Sequence, residues 1–143
     1  IRTTNMHLFD SNGNIKKYET PHDIIREFVD IRLKFYDNRK ANMIKVISKS
    51  LKILENKIRF IECIYDESLV INKIKKANII NNLKTLKFNT VDSSFDYLLD
   101  MKIYNLTYEY IQKLKNQHIK ENKDKSTLEN TSVIEMWKND ILV

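Results

Sequence analysis

Apolar residues recur at helical spacing along most of the chain. Ile25, Val29, Leu33, Tyr36, Met43 and Ile47 mark one face, and Ile24, Phe28, Ile31 and Phe35 add a second row confined to the first turns. A broad apolar face packs on a body and a narrow stripe on one partner helix, so the pattern predicts a helix that starts on a base and projects outward. Its start is marked by Thr20 as N-cap, Pro21 at the first helical position and Asp23 near the positive end of the dipole. Leu51, Leu54, Ile58, Ile61 and Tyr65 form a further stripe, read as a second helix set at an angle after Ser48 or Ser50. Asp66-Glu67-Ser68 then predicts a turn, Leu69-Val70-Ile71 a short strand, and Lys75 to Leu86 an amphipathic helix carrying Ile79, Ile80, Leu83 and Leu86. After a polar loop from Asn89 to Ser94 comes a dense apolar run beginning at Phe95. Thr107 caps a long helix striped by Tyr110 or Ile111, Leu114 and His118, polar from Lys120 to Lys125 and reaching about Glu129. Ser132-Val133-Ile134-Glu135 is a capping box that opens a short helix through Met136 and Trp137.

The strand period appears mainly at the start. Met6 to Phe9 and Ile15 to Tyr18 flank Asp10-Ser11-Asn12-Gly13-Asn14, a hairpin turn signal. A lone two-stranded hairpin is marginal in water, so these strands are expected to complete a sheet whose other members precede Ile1. On that reading the chain is a fragment of something longer. The expected architecture is mainly α. Residues 1–19 form a β-hairpin base, 20–50 and 107–131 a long antiparallel two-helix coiled-coil arm, 51–106 a small helical head, and 132–143 a short helix packing back on the base.

Composition agrees with helix. Ile and Lys each occur 20 times and Asn 16 times among 143 residues, against one Gly and one Pro, which disfavours an all-β sandwich with its turn punctuation. No apolar run approaches a membrane span. Cys63 is the only cysteine, so there is no internal disulfide framework and no multi-thiolate metal site, a usage that suits a reducing compartment. The net charge of +6 would suit a neighbouring polyanion.

Catalytic patterns are missing. One glycine cannot build a phosphate-cradling loop, and no Asp-x-Asp cluster offers a divalent site. His7, His22 and His118 are scattered, and Asp96 and Asp100 read as caps or ion-pair partners sooner than as an acid–base pair. What stands out is a dense patch within twelve residues: Phe95, Tyr97, Leu98, Leu99, Met101, Ile103, Tyr104 and Leu106. It is either the core of the head or a protein–protein interface, where aromatics and Met are enriched.

Several blocks carry a family resemblance. Thr4-Asn5-Met6-His7-Leu8-Phe9-Asp10 with Ile15-Lys16-Lys17-Tyr18, Ile31 to Tyr36 with Arg39-Lys40, Leu54 to Ile61, Phe95 to Met101 with Leu106-Thr107, and Met136-Trp137-Lys138-Asn139-Asp140 stand in the order found in the eukaryotic-type DNA topoisomerase II family. The chain closely resembles that family over nearly its whole length. The resemblance implies the segment that ends the DNA-cleavage core: base strands, coiled-coil arm, and an exit gate closed by a homodimer through the head patch. It also implies that the catalytic tyrosine and the acidic metal-binding cluster lie upstream. ATP and Mg would then serve a nuclear parent enzyme that acts on double-stranded DNA, and the fragment itself would hold no cofactor and meet no membrane. The sequence departs from the family in two places. Lys87 to Ser94 stand where many relatives have a long acidic insert, and Lys102 stands where the family usually has Pro.

Two readings of the charged arm remain. Lys34, Arg39, Lys40, Lys45, Lys49 and Lys52 on the first helix, with Lys113, Lys115, Lys120, Lys123 and Lys125 on the returning one, are either an ordinary solvated face or, by the resemblance, a diffuse positive wall beside a transported duplex. A rival class for the whole chain is a free-standing basic helical adaptor binding nucleic acid or a partner helix.

Overall fold

One helix, α1, runs without interruption from Pro21 to Tyr65, 45 residues. The computed structural model describes residues 5–71, 73–102 and 106–142. Ahead of α1 stand β1 (His7–Phe9) and β2 (Ile15–Lys17), and after it come α2 (Lys76–Thr85), α3 (Asp96–Leu99), α4 (Tyr108–Asn130) and α5 (Val133–Ile141). The fold is mostly helical with one small antiparallel sheet, as expected.

The continuity of α1 corrects the second helix expected after Ser48 or Ser50. The apolar phase never breaks there: Ile47, Leu51, Leu54, Ile58, Ile61 and Tyr65 follow one another at intervals of three and four. With no Gly or Pro between His22 and Tyr65, two serines at a few tenths of a kcal/mol each do not stop a helix. Its start is the expected one: Thr20 Oγ1 and its N–H donate to Asp23 Oδ2 at 2.7 and 3.1 Å, and the Asp23 N–H returns a bond to Thr20 Oγ1 at 3.3 Å. The short strand expected at Leu69-Val70-Ile71 is also corrected, because the segment is irregular. The Leu69 N–H goes to the Cys63 carbonyl at 2.9 Å, folding the chain back on the last turn of α1, and among the described residues no strand competes for it.

The chain divides into two compact units: residues 1–44 with 128–143, and residues 45–127. In the first, β1 pairs antiparallel with β2 in the register His7↔Lys17, Leu8↔Lys16 and Phe9↔Ile15. Asp10 Oδ1 accepts the N–H groups of Asn12 and Asn14 at 2.9 and 2.8 Å, and Gly13 takes the left-handed conformation at φ +81°. Among the described residues of this unit, Tyr18 and Tyr36 are the buried side chains.

The second unit holds the main core, in which Leu54, Phe60, Ile61, Leu69, Leu83, Phe88, Phe95, Leu98, Ile111 and Leu114 meet. Cys63 is free, half-buried and packed against it. α2 ends in a Schellman motif. Phe88 N–H donates to Leu83 O and Lys87 N–H to Lys84 O, both at 3.0 Å, while Lys87 takes φ 56° where glycine is usual. The Arg59 guanidinium lies 4.4 Å over the Phe88 ring and donates to the Leu86 carbonyl. The loop after it closes on a Val91↔Ser94 bridge, with Asp92 and Ser93 both left-handed. Thr107 caps α4 through Oγ1, as its sequence position suggested.

Candidate functional site

The head patch divides by burial. Leu98 and Phe95 lie in the core of their own unit at 1% and 6% exposure, so their apolar surface is already used within the chain. Tyr97, Leu99, Met101 and Leu106 are half-buried against that core, while Ile103 and Tyr104 lie outside the described residues. Tyr97 donates its hydroxyl to the Asn89 carbonyl at 2.6 Å, and burial pushes its phenol upward, with a hydrogen bond from Asn56 opposing. Tyr65 donates to the Leu106 carbonyl at 2.7 Å. Between these side chains lies an apolar cleft of about 230 Å³ lined by Phe60, Ile71, Ile79, Leu98, Leu99, Met101 and Leu106. Seven apolar side chains without a titratable group suit an apolar contact, not proton transfer.

The cations also divide. Lys34, Arg39, Lys45, Lys49, Lys52, Lys113, Lys120 and Lys123 are exposed, and Lys40, Lys115 and Lys125 are half-buried. Several of these are engaged within the chain. Arg39 pairs with Asp140, Lys115 with Glu62 at 2.7 Å, and Lys40 donates to the carbonyls of Glu129 and Thr131 at 2.9 and 2.7 Å. His118 Nε2 lies 3.1 Å from Glu55 Oε1, so with Lys115 and Glu62 it sets α4 antiparallel to the second half of α1.

Asp96 proves to be a turn and ion-pair residue. It accepts the Ser94 hydroxyl at 2.6 Å and faces Lys76 Nζ at 3.3 Å, and those two hydrogen bonds hold its carboxyl below the usual range. Among the described residues no three His, Cys, Asp or Glu side chains converge on a point, and the one glycine sits in a hairpin. The described residues gather no ligand set for a divalent ion.

Two features escaped the sequence. The first is the bare apolar surface of the first unit, where Leu8, Phe9, Ile15, Ile25, Phe28 and Phe35 are 46–73% exposed. Two clefts of about 220 and 390 Å³ run along this surface between the hairpin and α1. The alternation of β1 and β2 shows which residues are apolar but not that both faces of the hairpin stay open. The second is a cluster of Tyr36, Arg39, Trp137 and Asp140, whose members are 104 positions apart at the extremes. No local pattern could have joined them.

Comparison with known proteins places these surfaces in a family. Residues 1–142 match the family model for the A-type subunit of DNA gyrase/topoisomerase IV. The DNA topoisomerase 2 of Acanthamoeba polyphaga mimivirus is 35% identical over 151 residues, covering 99% of this chain and 12% of that protein. The enzyme of Arabidopsis thaliana is 32% identical over 179 residues, with the same coverage of each. That of Invertebrate iridescent virus 6 is 35% identical over 143 residues, covering 99% and 13%. The crystal structure of the Plasmodium falciparum topoisomerase II DNA-binding, cleavage and re-ligation domain superposes with a TM-score of 0.83 at 33% identity, over 99% of this chain and 23% of that one. The chain thus spans about an eighth of the length of the curated relatives it matches. With residues 1–142 matched by the family and its fold reproduced in a cleavage domain, the chain belongs to the type IIA DNA topoisomerases, as a piece of their cleavage core.

Proposed function

We propose that the chain is the arm and exit gate of an ATP-dependent type IIA topoisomerase, holding two copies together and letting a transported duplex leave during double-strand passage. The observation that carries this reading is the superposition of 99% of the chain on 23% of a cleavage domain, with a TM-score of 0.83. Residues 1–19 serve as base, 20–50 and 107–131 as arm, and 51–106 as head, and 132–143 return to the base. The homodimer contact is assigned to the half-buried part of the head patch, Tyr97, Leu99, Met101 and Leu106, together with Ile103 and Tyr104. The bare apolar surface on Leu8, Phe9, Ile15 and Phe35 supports a piece that a larger parent covers, and the family resemblance makes that parent nuclear. The fragment alone neither cleaves DNA nor hydrolyses ATP; Mg and nucleotide belong to the parent.

Sedimentation of the 143-residue chain with and without duplex tests the gate against the free-standing adaptor. A dimer that binds duplex weakly at physiological salt supports the gate, whereas a monomer that binds it tightly overturns it. In the parent enzyme, reversing Lys34, Lys45, Lys49, Lys52, Lys120 and Lys123 to Glu should slow strand passage most at low salt and spare cleavage. Passage unchanged at every ionic strength would reduce these lysines to a solvated face.

A further inference from the structure

α5 lies on α1 without burying any residue of its own. It is held instead through one buried ring on α1. Tyr36, 3% exposed, donates its hydroxyl to Asp140 Oδ2 at 2.7 Å, and Arg39 donates to the same oxygen. The guanidinium groups of Arg32 and Arg39 lie 5.2 and 5.4 Å from the Tyr36 ring centre. Trp137 meets the rings of Phe28 and Tyr36 at centroid distances of 6.4 and 6.1 Å. Just before α5, Lys40 Nζ donates to the carbonyls of Glu129 and Thr131 at 2.9 and 2.7 Å.

The attachment is strong in geometry and weak in burial. Arg39 and Asp140 keep 50% and 43% of their side-chain surface in water, where an ion pair is screened and contributes little. A nine-residue helix is also too short to persist in water alone. α5 is therefore helical because it is docked, and the docking rests on a part-buried bond at Tyr36, the exposed Arg39 pair, two ring contacts and the half-buried Val133, Met136 and Trp137.

We propose that residues 132–141 are a releasable strap. In the opened state α5 leaves α1, while α1 stays helical and residues 45–127 stay folded. Opening uncovers Tyr36 and the Trp137 side of Phe28, and Phe28 already belongs to the exposed apolar row with Leu8, Phe9 and Phe35. Arg39 and Lys40 act here as positioning residues that fasten the returning segment, whichever way the parent uses the arm.

Native-state hydrogen exchange on the full 143-residue chain tests the strap, with fluorescence of Trp137, its only tryptophan, as a second readout. The amides of 136–141 should exchange through a local opening nearly independent of low denaturant, while those of 24–40 stay protected until the unit unfolds. Asp140→Asn and Arg39→Met should each speed exchange in α5 several-fold, shift Trp137 emission to the red, and leave the amides of α2 unmoved. Added salt should speed the wild-type opening and do less to Asp140→Asn, which has no ion pair left to screen. Exchange of 136–141 at the rate and denaturant dependence of α1 would overturn the proposal. So would an Asp140→Asn chain with unchanged α5 exchange and unchanged emission.

Discussion

Leu98 separates the two uses to which the head patch can be put. At 1% exposure it sits among Phe60, Ile61, Leu83 and Phe95, so truncation to alanine leaves a cavity inside one chain. Leu→Ala at such sites costs about 3 kcal/mol, within a range of roughly 2–5. Against a domain stability of about 5–15 kcal/mol this is a large fraction. With a urea dependence of about 1.5 kcal/mol per molar, the unfolding midpoint of residues 45–127 should fall by about 2 M at unchanged slope. Far-ultraviolet circular dichroism during urea titration reads the shift, and sedimentation at the same concentration reads the oligomer. Leu99→Ala is the control: half-buried, it should cost about 1 kcal/mol in unfolding and act more on self-association. A Leu98→Ala chain that lost less than about 1 kcal/mol yet fell from dimer to monomer would refute the reasoning, because the side chain would then belong to a partner's surface.

Three further outcomes are expected. Asp10, Asp23, Glu27, Asp96 and Asp140 are all held below the usual carboxylate range, chiefly by the Asn14 N–H, the Thr20 hydroxyl, Lys16, the Ser94 hydroxyl and the Tyr36 hydroxyl respectively. Depressed values in the folded chain mean stability that is full above the unfolded carboxylate range and lost as pH falls through the folded values, so acid unfolding should begin below about pH 4, with Asp140→Asn flattening that limb in the first unit. Lys87→Gly should stabilise residues 45–127 by about 0.5–1 kcal/mol in urea titration by relieving φ 56° at the end of α2, and a loss of stability would show that the lysine side chain contributes more than the strain costs. A double-mutant cycle on Glu62 and Lys115, each a little over two-fifths exposed, should give a coupling under about 1 kcal/mol that shrinks in high salt, and a larger, salt-insensitive value would contradict a solvated pair.

How much of the fold is legible in the sequence follows the range of the interactions. The caps at Thr20, Thr107 and Ser132 and the Gly13 turn are legible because each is decided within four residues. The head core at Leu83 and Leu98 is legible as a density of apolar residues, but density alone cannot tell a side chain turned inward from one left for a partner. At Ser48-Lys49-Ser50 a short polar run suggests a break that the unbroken apolar phase of α1 overrides. Around Leu69 the β-branched neighbours suggest a strand, although strands need a partner and none of the described residues supplies one. Tyr36 with Asp140 lies beyond reach, since a bond across 104 positions leaves no local trace.

The left-handed residues at the helix ends and loops have a consequence at the level of the gene. Among the described residues, Glu67, Lys73, Lys87, Asp92 and Ser93 hold positive φ, and glycine serves that purpose only at Gly13. Asn, Lys and Ile, so frequent here, are read from codons made almost wholly of A and T, whereas every glycine codon begins with two guanines. Each turn closed by lysine or aspartate in place of glycine carries strain on the order of 1 kcal/mol. In a gene rich in A and T, the scarcity of glycine is thus written into backbone dihedral angles. Guanine-richer relatives of this chain should therefore end their helices and close their loops with less strain, on the same fold.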